Sequence, residues 1–212
     1  MRTNESLIIA IIILSLIISA YFYSGMPESI ASHWDIVGEV DGYMPKFWGL
    51  FLLPIILILS LLSVIMIPNI DPLRANIQKF RTYYDTFSVI LALFLFYIYL
   101  LTILWNLGTK FNMMQLMAPA FAILLYYSGI LTENARRNWF IGIQTPWTLS
   151  SERVWNKTHK LGGKLFKAAG VIALFGMFFP SYASLTLVVP VIVFSAYAVV
   201  YSYLEYRRET RH

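Results

Sequence analysis

Five stretches of the chain contain no Asp, Glu, Lys or Arg, and their lengths constrain the fold more than any other feature of the sequence. They have 22, 24, 24, 22 and 37 residues and cover 6–27, 47–70, 86–109, 111–132 and 168–204. A bilayer core about 30 Å thick needs roughly 20 apolar residues in a helix that crosses it. Only 13% of the 212 residues are charged, whereas about 25% are charged in a soluble domain. The sequence therefore predicts an all-α membrane protein.

The longest of these stretches has room for two helices. Thirty-seven residues in one helix would extend about 55 Å, nearly two bilayer cores. A break around Pro180, at 179–182, divides the stretch into two short helices. We therefore predict six transmembrane helices, at about 7–24, 48–67, 86–106, 113–131, 166–181 and 184–204.

All six helices are expected to form a single integral membrane domain over 1–212. Its first part, 1–68, is a helix pair joined by an outer loop at 25–46. Its second part, 69–212, has four helices and a long inner loop at 133–164.

The basic residues are distributed unevenly between the two sides of this predicted bundle. Six helices place both termini on one side, and that side then holds 14 of the 16 Lys and Arg residues, leaving Lys46 and Lys110 on the other. Cytoplasmic loops carry an excess of Lys and Arg. We therefore expect a cell-membrane protein with both termini in the cytoplasm. The pI of about 9.4 then reflects topology, and no direct binding of nucleic acid is predicted.

The predicted helices carry no ionisable residue in their central parts. Pumps and proton-coupled transporters place carboxylates, His or Arg along the transport path. The mild polar groups Asn106 and Gln115, together with a kink at Pro119, leave a small-solute or ion transporter or channel as an alternative function. Recognition or chemistry is otherwise expected in the loops.

The outer loop contains one His and three carboxylates within nine residues. Gly38 and Asp41-Gly42 are typical of turns, so we expect a small hairpin-like or irregular cap over the helix ends. Carboxylates with an imidazole can hold a divalent cation, which leaves a metal-dependent membrane enzyme as a third hypothesis. The spacing matches neither an EF-hand nor H-E-x-x-H. The candidate ligand-binding residues of this loop are His33, Trp34, Asp35, Glu39 and Asp41.

Amphipathic patterns mark both inner loops. In the first, apolar residues from Leu73 to Phe87 recur at helical spacing after Asp71-Pro72, which predicts an interfacial helix running into the third transmembrane helix. In the second, Arg153, Lys157, Lys160 and Lys164 form one basic stripe, which predicts a short helix on anionic lipid or, alternatively, a surface for an acidic partner. The uncharged segment 138–151 is too short to span a bilayer and contains Pro146, so it is interpreted as interfacial or re-entrant.

The second inner loop also resembles a known family. The segment RNWFIGIQTPWTLSS, from Arg137 to Ser151, continues into Val154-Trp155, Thr158-His159 and Gly162-Gly163 and is similar to the Sdp immunity-protein family. The outer pattern Pro27…His33…Gly38…Asp41-Gly42-Tyr43 resembles a domain of unknown function that often precedes that module. The candidate residues of the inner motif are Arg137, Asn138, Gly142, Thr145, Pro146, Trp147, Trp155 and His159.

This resemblance implies a six-span bacterial or archaeal membrane protein that is not an enzyme and needs no cofactor. Its founding example protects a cell from a secreted peptide toxin and holds a cytoplasmic transcriptional repressor at the membrane. The resemblance therefore implies three partners for this chain: the lipid bilayer, a peptide toxin or small ligand outside, and a regulator inside. The oligomeric state is left open.

Overall fold

Eight helices and two strands make up the part of the chain that the computed structural model describes, residues 2–211. The six long helices are α1 (Thr3–Phe22), α2 (Lys46–Ile70), α4 (Arg81–Asn106), α5 (Met113–Asn134), α7 (Glu152–Leu174) and α8 (Ala183–Glu209). The two short helices are α3 (Arg74–Lys79) and α6 (Pro146–Ser150), and the strands are β1 (Ser29–Trp34) and β2 (Val40–Pro45).

Polar side chains before several helices determine where those helices begin. The Asn112 side chain accepts a hydrogen bond from the N–H of Gln115, and Ser151 accepts one from the N–H of Val154. Each satisfies a backbone donor that has no partner inside the helix. Thr145 caps α6 in the same way, and Pro146 occupies the first helical position, where a missing N–H costs nothing.

Five segments are long and apolar enough to cross a membrane: Thr3–Phe22, Lys46–Ile70, Arg81–Asn106, Met113–Asn134 and Pro180–Glu209. They correspond to five of the six predicted transmembrane helices. The protein is thus a multi-pass membrane protein, as its sequence predicted.

The predicted helix at 166–181 has the wrong bounds. Residues 166–174 are the second half of α7, which begins at Glu152 and therefore includes the basic stripe that we had assigned to a separate helix. Residues 175–177 and 180–182 form single 3-10 turns. Within this helix Gly163 packs closely against Gly129 and Glu133 of α5, and Gly162 packs against Ile143 of the loop 135–145.

The bundle has two distinct ends. At the hairpin end lie β1, β2 and the connections 107–112 and 175–182. At the basic end lie α3, α6, the loop 135–145 and both ends of the described chain, where Arg2 pairs with Asp85 and Ser151 bonds to Glu209. Of the two forms expected for the outer cap, the structure has the hairpin: an antiparallel pair of strands in which Ile30 faces Met44, with irregular register around His33.

The predicted interfacial helix after Asp71-Pro72 is divided at Phe80 into α3 and the start of α4. Ile77, Phe80 and Tyr84 are nevertheless buried on one face, as their spacing predicted, in a cluster that also contains Trp155. This cluster fixes the loop 135–145 against the helices at the basic end.

Candidate functional site

The hairpin is bonded to three helices. Asn106, at the end of α4, accepts from the N–H of Ala31 at 2.9 Å and donates to the carbonyl of the same residue at 3.0 Å. Asn112 donates to the carbonyl of Val37, and Ser184 of α8 donates to that of Ile36. The hairpin is therefore held at its first strand and at its turn.

Of the predicted cluster in the hairpin, only His33 and Asp41 contact each other through their side chains, as an exposed pair. Asp35 instead accepts from the N–H groups of Val37 and Glu39, which closes the turn. Glu39 takes part through its backbone. Across residues 2–211, no three His, Asp or Glu side chains gather closely enough to hold a metal ion. Asp35 and Glu39 thus form the turn, and His33 and Asp41 form a pair at the surface. Within the described residues, no set of metal-donor side chains supports the metal-enzyme hypothesis.

Trp34 differs from the rest of that loop because it is buried, with 8% of its surface exposed. It packs edge-on against Trp105 and lines a cavity of about 290 Å³ between the hairpin and the helices. Within the described residues its indole Nε1 has no hydrogen-bond acceptor. A buried donor without a partner costs about 1–3 kcal/mol, and this one is closed off from the cavity as well as from solvent.

The other walls of this cavity are mostly apolar and contain four methionines. Its further lining residues are Ser32, His33, Met44, Trp48, Gly49, Leu52, Leu53, Ile98, Thr102, Met113, Met114 and Met117. Methionine is flexible and polarisable, and it accommodates irregular apolar ligands. We call this site the Trp34 cavity. The sequence predicted His33 and Trp34 as candidate ligand-binding residues. It did not predict the methionines, because their spacing has no distinguishing feature.

At the basic end, Asn138 organises the loop 135–145, which we call the motif loop. Its Oδ1 accepts from the N–H groups of Phe140 and Ile141, and its Nδ2 donates to the carbonyls of Arg136 and Ile141. Both polar ends of the fully buried amide are thus satisfied. Asp71 adds a bond from the N–H of Trp139 at 2.9 Å, linking the loop to the end of α2.

His159 and Trp155 form the buried centre of the motif. Their rings stack with centroids 3.8 Å apart, and the Trp155 indole donates to the carbonyl of Ala135. His159 Nε2 accepts from the N–H of Ile143, while Nδ1 bonds to the carbonyl of Trp155. Burial lowers the pKa of His159 to about 4 because it penalises the charged imidazolium. The ring is therefore neutral at pH 7, and both of its nitrogens are occupied by structural bonds.

Gly142 lets the loop approach this histidine. Its φ of +115° lies in the region that favours glycine, and a Cβ there would lie 2.3 Å from His159 Nε2. Thr145 bonds to Thr148 and to Ser202 of α8. Trp147 packs on Tyr203 of α8, and Arg137 donates to the carbonyl of Leu149. The structure thus brings the predicted motif residues together, in a loop that their mutual contacts stabilise.

The polar side chains on which the transporter alternative depends make hydrogen bonds within the protein. Asn106 bonds to the hairpin, and Gln115 donates to the carbonyl of Met177. The cavity beside Pro119, about 390 Å³, is lined by apolar residues and Tyr97, whose hydroxyl donates to the carbonyl of Leu116. Ser60, Ser88 and Ser128 each donate to a carbonyl of their own helix. Ser60, Ser88 and Ser128 also line one cavity of about 700 Å³ that reaches the loop at 140–143, but no Asp, Glu, Lys, Arg or His lines it and most of its other walls are apolar.

Comparison with known proteins agrees with the resemblance noted in the sequence. Residues 134–203 match the SdpI/YfhL protein family, and residues 10–58 match a domain of unknown function, DUF1648. The chain is 26% identical over 201 residues to the immunity protein SdpI of Bacillus subtilis (strain 168), covering 94% of each protein. No solved structure matches the chain. The predicted resemblance is therefore confirmed over nearly the whole sequence.

Proposed function

We propose, from the match to the SdpI/YfhL protein family, that this multi-pass membrane protein is a non-enzymatic immunity receptor that binds an apolar peptide at its hairpin end. The observation that carries the proposal is the Trp34 cavity, which combines a mostly apolar lining with a buried indole donor lacking an acceptor within the described residues. The proposal assigns no catalytic residue and no cofactor.

The chemistry of the cavity favours a peptide as the ligand. Met113, Met114 and Met117 offer a deformable apolar wall to side chains of varied shape. Trp34 Nε1 is buried in the free protein, so the ring must turn toward the cavity as the ligand binds. A backbone carbonyl of the ligand then accepts from Nε1 and removes the cost of its burial. His33 and Asp41 lie at the exposed rim, where they are suited to contact polar parts of the same peptide.

In the proposed placement the hairpin end faces outward and the basic end faces the cytoplasm, with both termini there. The positive-inside rule supports this orientation. α7 is then the sixth helix of the bundle, and its apolar second half, 166–174, lies within the bilayer. These nine residues extend about 13 Å at 1.5 Å per residue, so the crossing is completed by the turns at 175–177 and 180–182.

The motif loop is the proposed docking surface for a cytoplasmic regulator. Trp139 and Phe140 are 53% and 45% exposed although the loop around them is rigidly bonded, and Arg136 beside them is also exposed. Exposed aromatic residues on a preorganised loop are typical of protein–protein contacts. The docking role is carried over from the family, because a relay that senses a toxin outside must bind a regulator inside.

The test substitutes Trp34 with Phe, which keeps the aromatic ring and removes the N–H group. Cells producing the variant are challenged with the secreted peptide toxin against which the family protects. Losing one hydrogen bond of about 1 kcal/mol should weaken protection roughly fivefold. Trp147→Phe, an equivalent change at the opposite end that keeps an aromatic ring against Tyr203, should leave protection unchanged. Full protection by Trp34→Phe at equal membrane levels would refute the cavity as the ligand site.

A further inference from the structure

A cleft between α7 and α8 at the basic end gathers three lysines. It has a volume of about 220 Å³ and is lined by Lys157, Lys160, Leu161, Lys164 and Tyr201. We call it the lysine cleft. It lies at the end of the bundle opposite the Trp34 cavity, so its role is independent of the peptide-binding proposal.

The buried carboxylate beside the cleft neutralises only part of its charge. Glu205, 5% exposed, accepts from both Lys157 and Arg208. Lys160 and Lys164 are exposed, and neither takes part in an ion pair within residues 2–211. The cleft therefore keeps a net positive charge and presents two ammonium groups one helical turn apart on α7.

The same face of α7 becomes apolar one turn after the last lysine. Ala168, Val171 and Phe175 are exposed and follow Lys160 and Lys164 at helical spacing. Lys167 leaves this face to pair with Glu133 of α5. Facing it from α8, Tyr197 continues the line of Tyr201 in the same direction, with ring centroids 6.4 Å apart. One continuous surface thus changes from cationic to apolar along the helix axis.

We infer that the lysine cleft binds the phosphate headgroup of an anionic phospholipid, whose acyl chains lie along Ala168, Val171 and Phe175. A phosphate oxygen accepts hydrogen bonds from Lys160 and Lys164, and Tyr201 forms the opposite wall of the cleft. Val171 lies seven residues beyond Lys164, about 10 Å along the helix. The apolar stripe therefore begins where the chains of a bound lipid would leave the headgroup.

The apolar continuation distinguishes a lipid from free phosphate as the source of this group. A soluble phosphate uses only the lysines, whereas a phospholipid uses both halves of the surface. An acidic segment of a soluble protein would likewise use only the lysines.

The experiment measures retention of phosphatidylglycerol by the purified full-length protein with native mass spectrometry. The detergent solution contains equal amounts of phosphatidylglycerol and phosphatidylcholine. The double variant Lys160→Gln/Lys164→Gln should bind phosphatidylglycerol roughly 30-fold more weakly, from about 1 kcal/mol for each cationic side chain near an anionic lipid surface. The control Lys79→Gln/Arg136→Gln removes the same charge from the same end of the bundle and should retain the lipid. All four side chains are exposed, so both variants are expected to fold.

A second variant tests the apolar half. Val171→Glu should also reduce retention of phosphatidylglycerol. Inorganic phosphate or glycerol 1-phosphate, added to the unsubstituted protein, should not displace the bound lipid. Equal loss of lipid in the two charge variants would overturn the site in favour of general surface charge. Displacement of the lipid by inorganic phosphate, or by an acidic peptide such as oligoglutamate, would show that the lysines serve a soluble anion or a protein instead.

Discussion

The imidazole Nε2 of His159 accepts a hydrogen bond from the backbone N–H of Ile143 at 3.0 Å. This bond joins α7 to the motif loop at the place where Gly142 brings the backbone against the ring. His159 thus has a structural role, and the next two expectations depend on it.

Replacing His159 with Leu should destabilise the motif loop by about 1–3 kcal/mol, because the N–H of Ile143 loses its acceptor. His159→Gln carries a side-chain oxygen that can accept the same bond, and it should retain most of the stability. Thermal unfolding in detergent micelles measures both variants. Equal unfolding temperatures for the two would contradict the importance of this hydrogen bond.

The stability of the protein should also fall at acid pH because of His159. Its pKa is lowered from 6.5 to about 4 in the folded state, so the unfolded chain binds more protons between these values. Stability is then complete above about pH 6.5 and decreases as the pH falls towards 4, by about 3 kcal/mol at 1.36 kcal/mol per pKa unit. Denaturation at several pH values measures this slope. It should flatten in His159→Gln and persist in His33→Gln, which changes an exposed histidine.

Close packing of α5 on α7 depends on glycines at both sides. A Cβ on Gly163 would lie 2.6 Å from the carbonyl oxygen of Gly129 and 2.2 Å from Cγ of Glu133. Small residues let membrane helices approach closely. Gly163→Leu should therefore destabilise the fold by at least 1–3 kcal/mol, roughly the usual cost of overpacking. Ala168→Leu, on the exposed face of the same helix, is the control, and an equally large loss there would argue against this interface.

Asn106 should control how firmly the hairpin is attached. Asn106→Ala removes both bonds to Ala31 and leaves a strand N–H without its acceptor, at a cost of about 1–3 kcal/mol. Hydrogen–deuterium exchange at 29–34 should become faster while exchange in α7 stays unchanged. Asn134→Ala is the matched control, because Asn134 bonds only within its own helix, to Ile130. Unchanged exchange in the hairpin would contradict the attachment.

Features encoded locally could be predicted from the sequence, and contacts between distant residues could not. The uncharged stretches identified five of the long helices, because burial in lipid requires apolar residues at every turn. The basic stripe of α7 has the pattern of a surface helix, which is why the sequence predicted a short helix there and a separate one from 166. The close contact of Gly163 with Gly129 of α5, which no local pattern shows, lies inside one continuous helix. Similarly, the role of Asn106 depends on Ala31, 75 positions earlier in the chain, and no local pattern connects them.

The proposed orientation can be tested because the chain contains no cysteine, so single cysteines report position without background. Val37 and Phe178 are 53% and 67% exposed at the hairpin end, and Asn156 is exposed at the basic end. In intact cells a membrane-impermeant maleimide should label Val37→Cys and Phe178→Cys. It should label Asn156→Cys only after permeabilisation, since six crossings place 156 and both termini inside. Ser19→Cys, fully buried, should remain unlabelled in both conditions.

Labelling of Asn156→Cys and Val37→Cys from the same side would show that the bundle does not cross the membrane as proposed. Inaccessibility of Phe178→Cys alone would show that α7 does not reach the outer side.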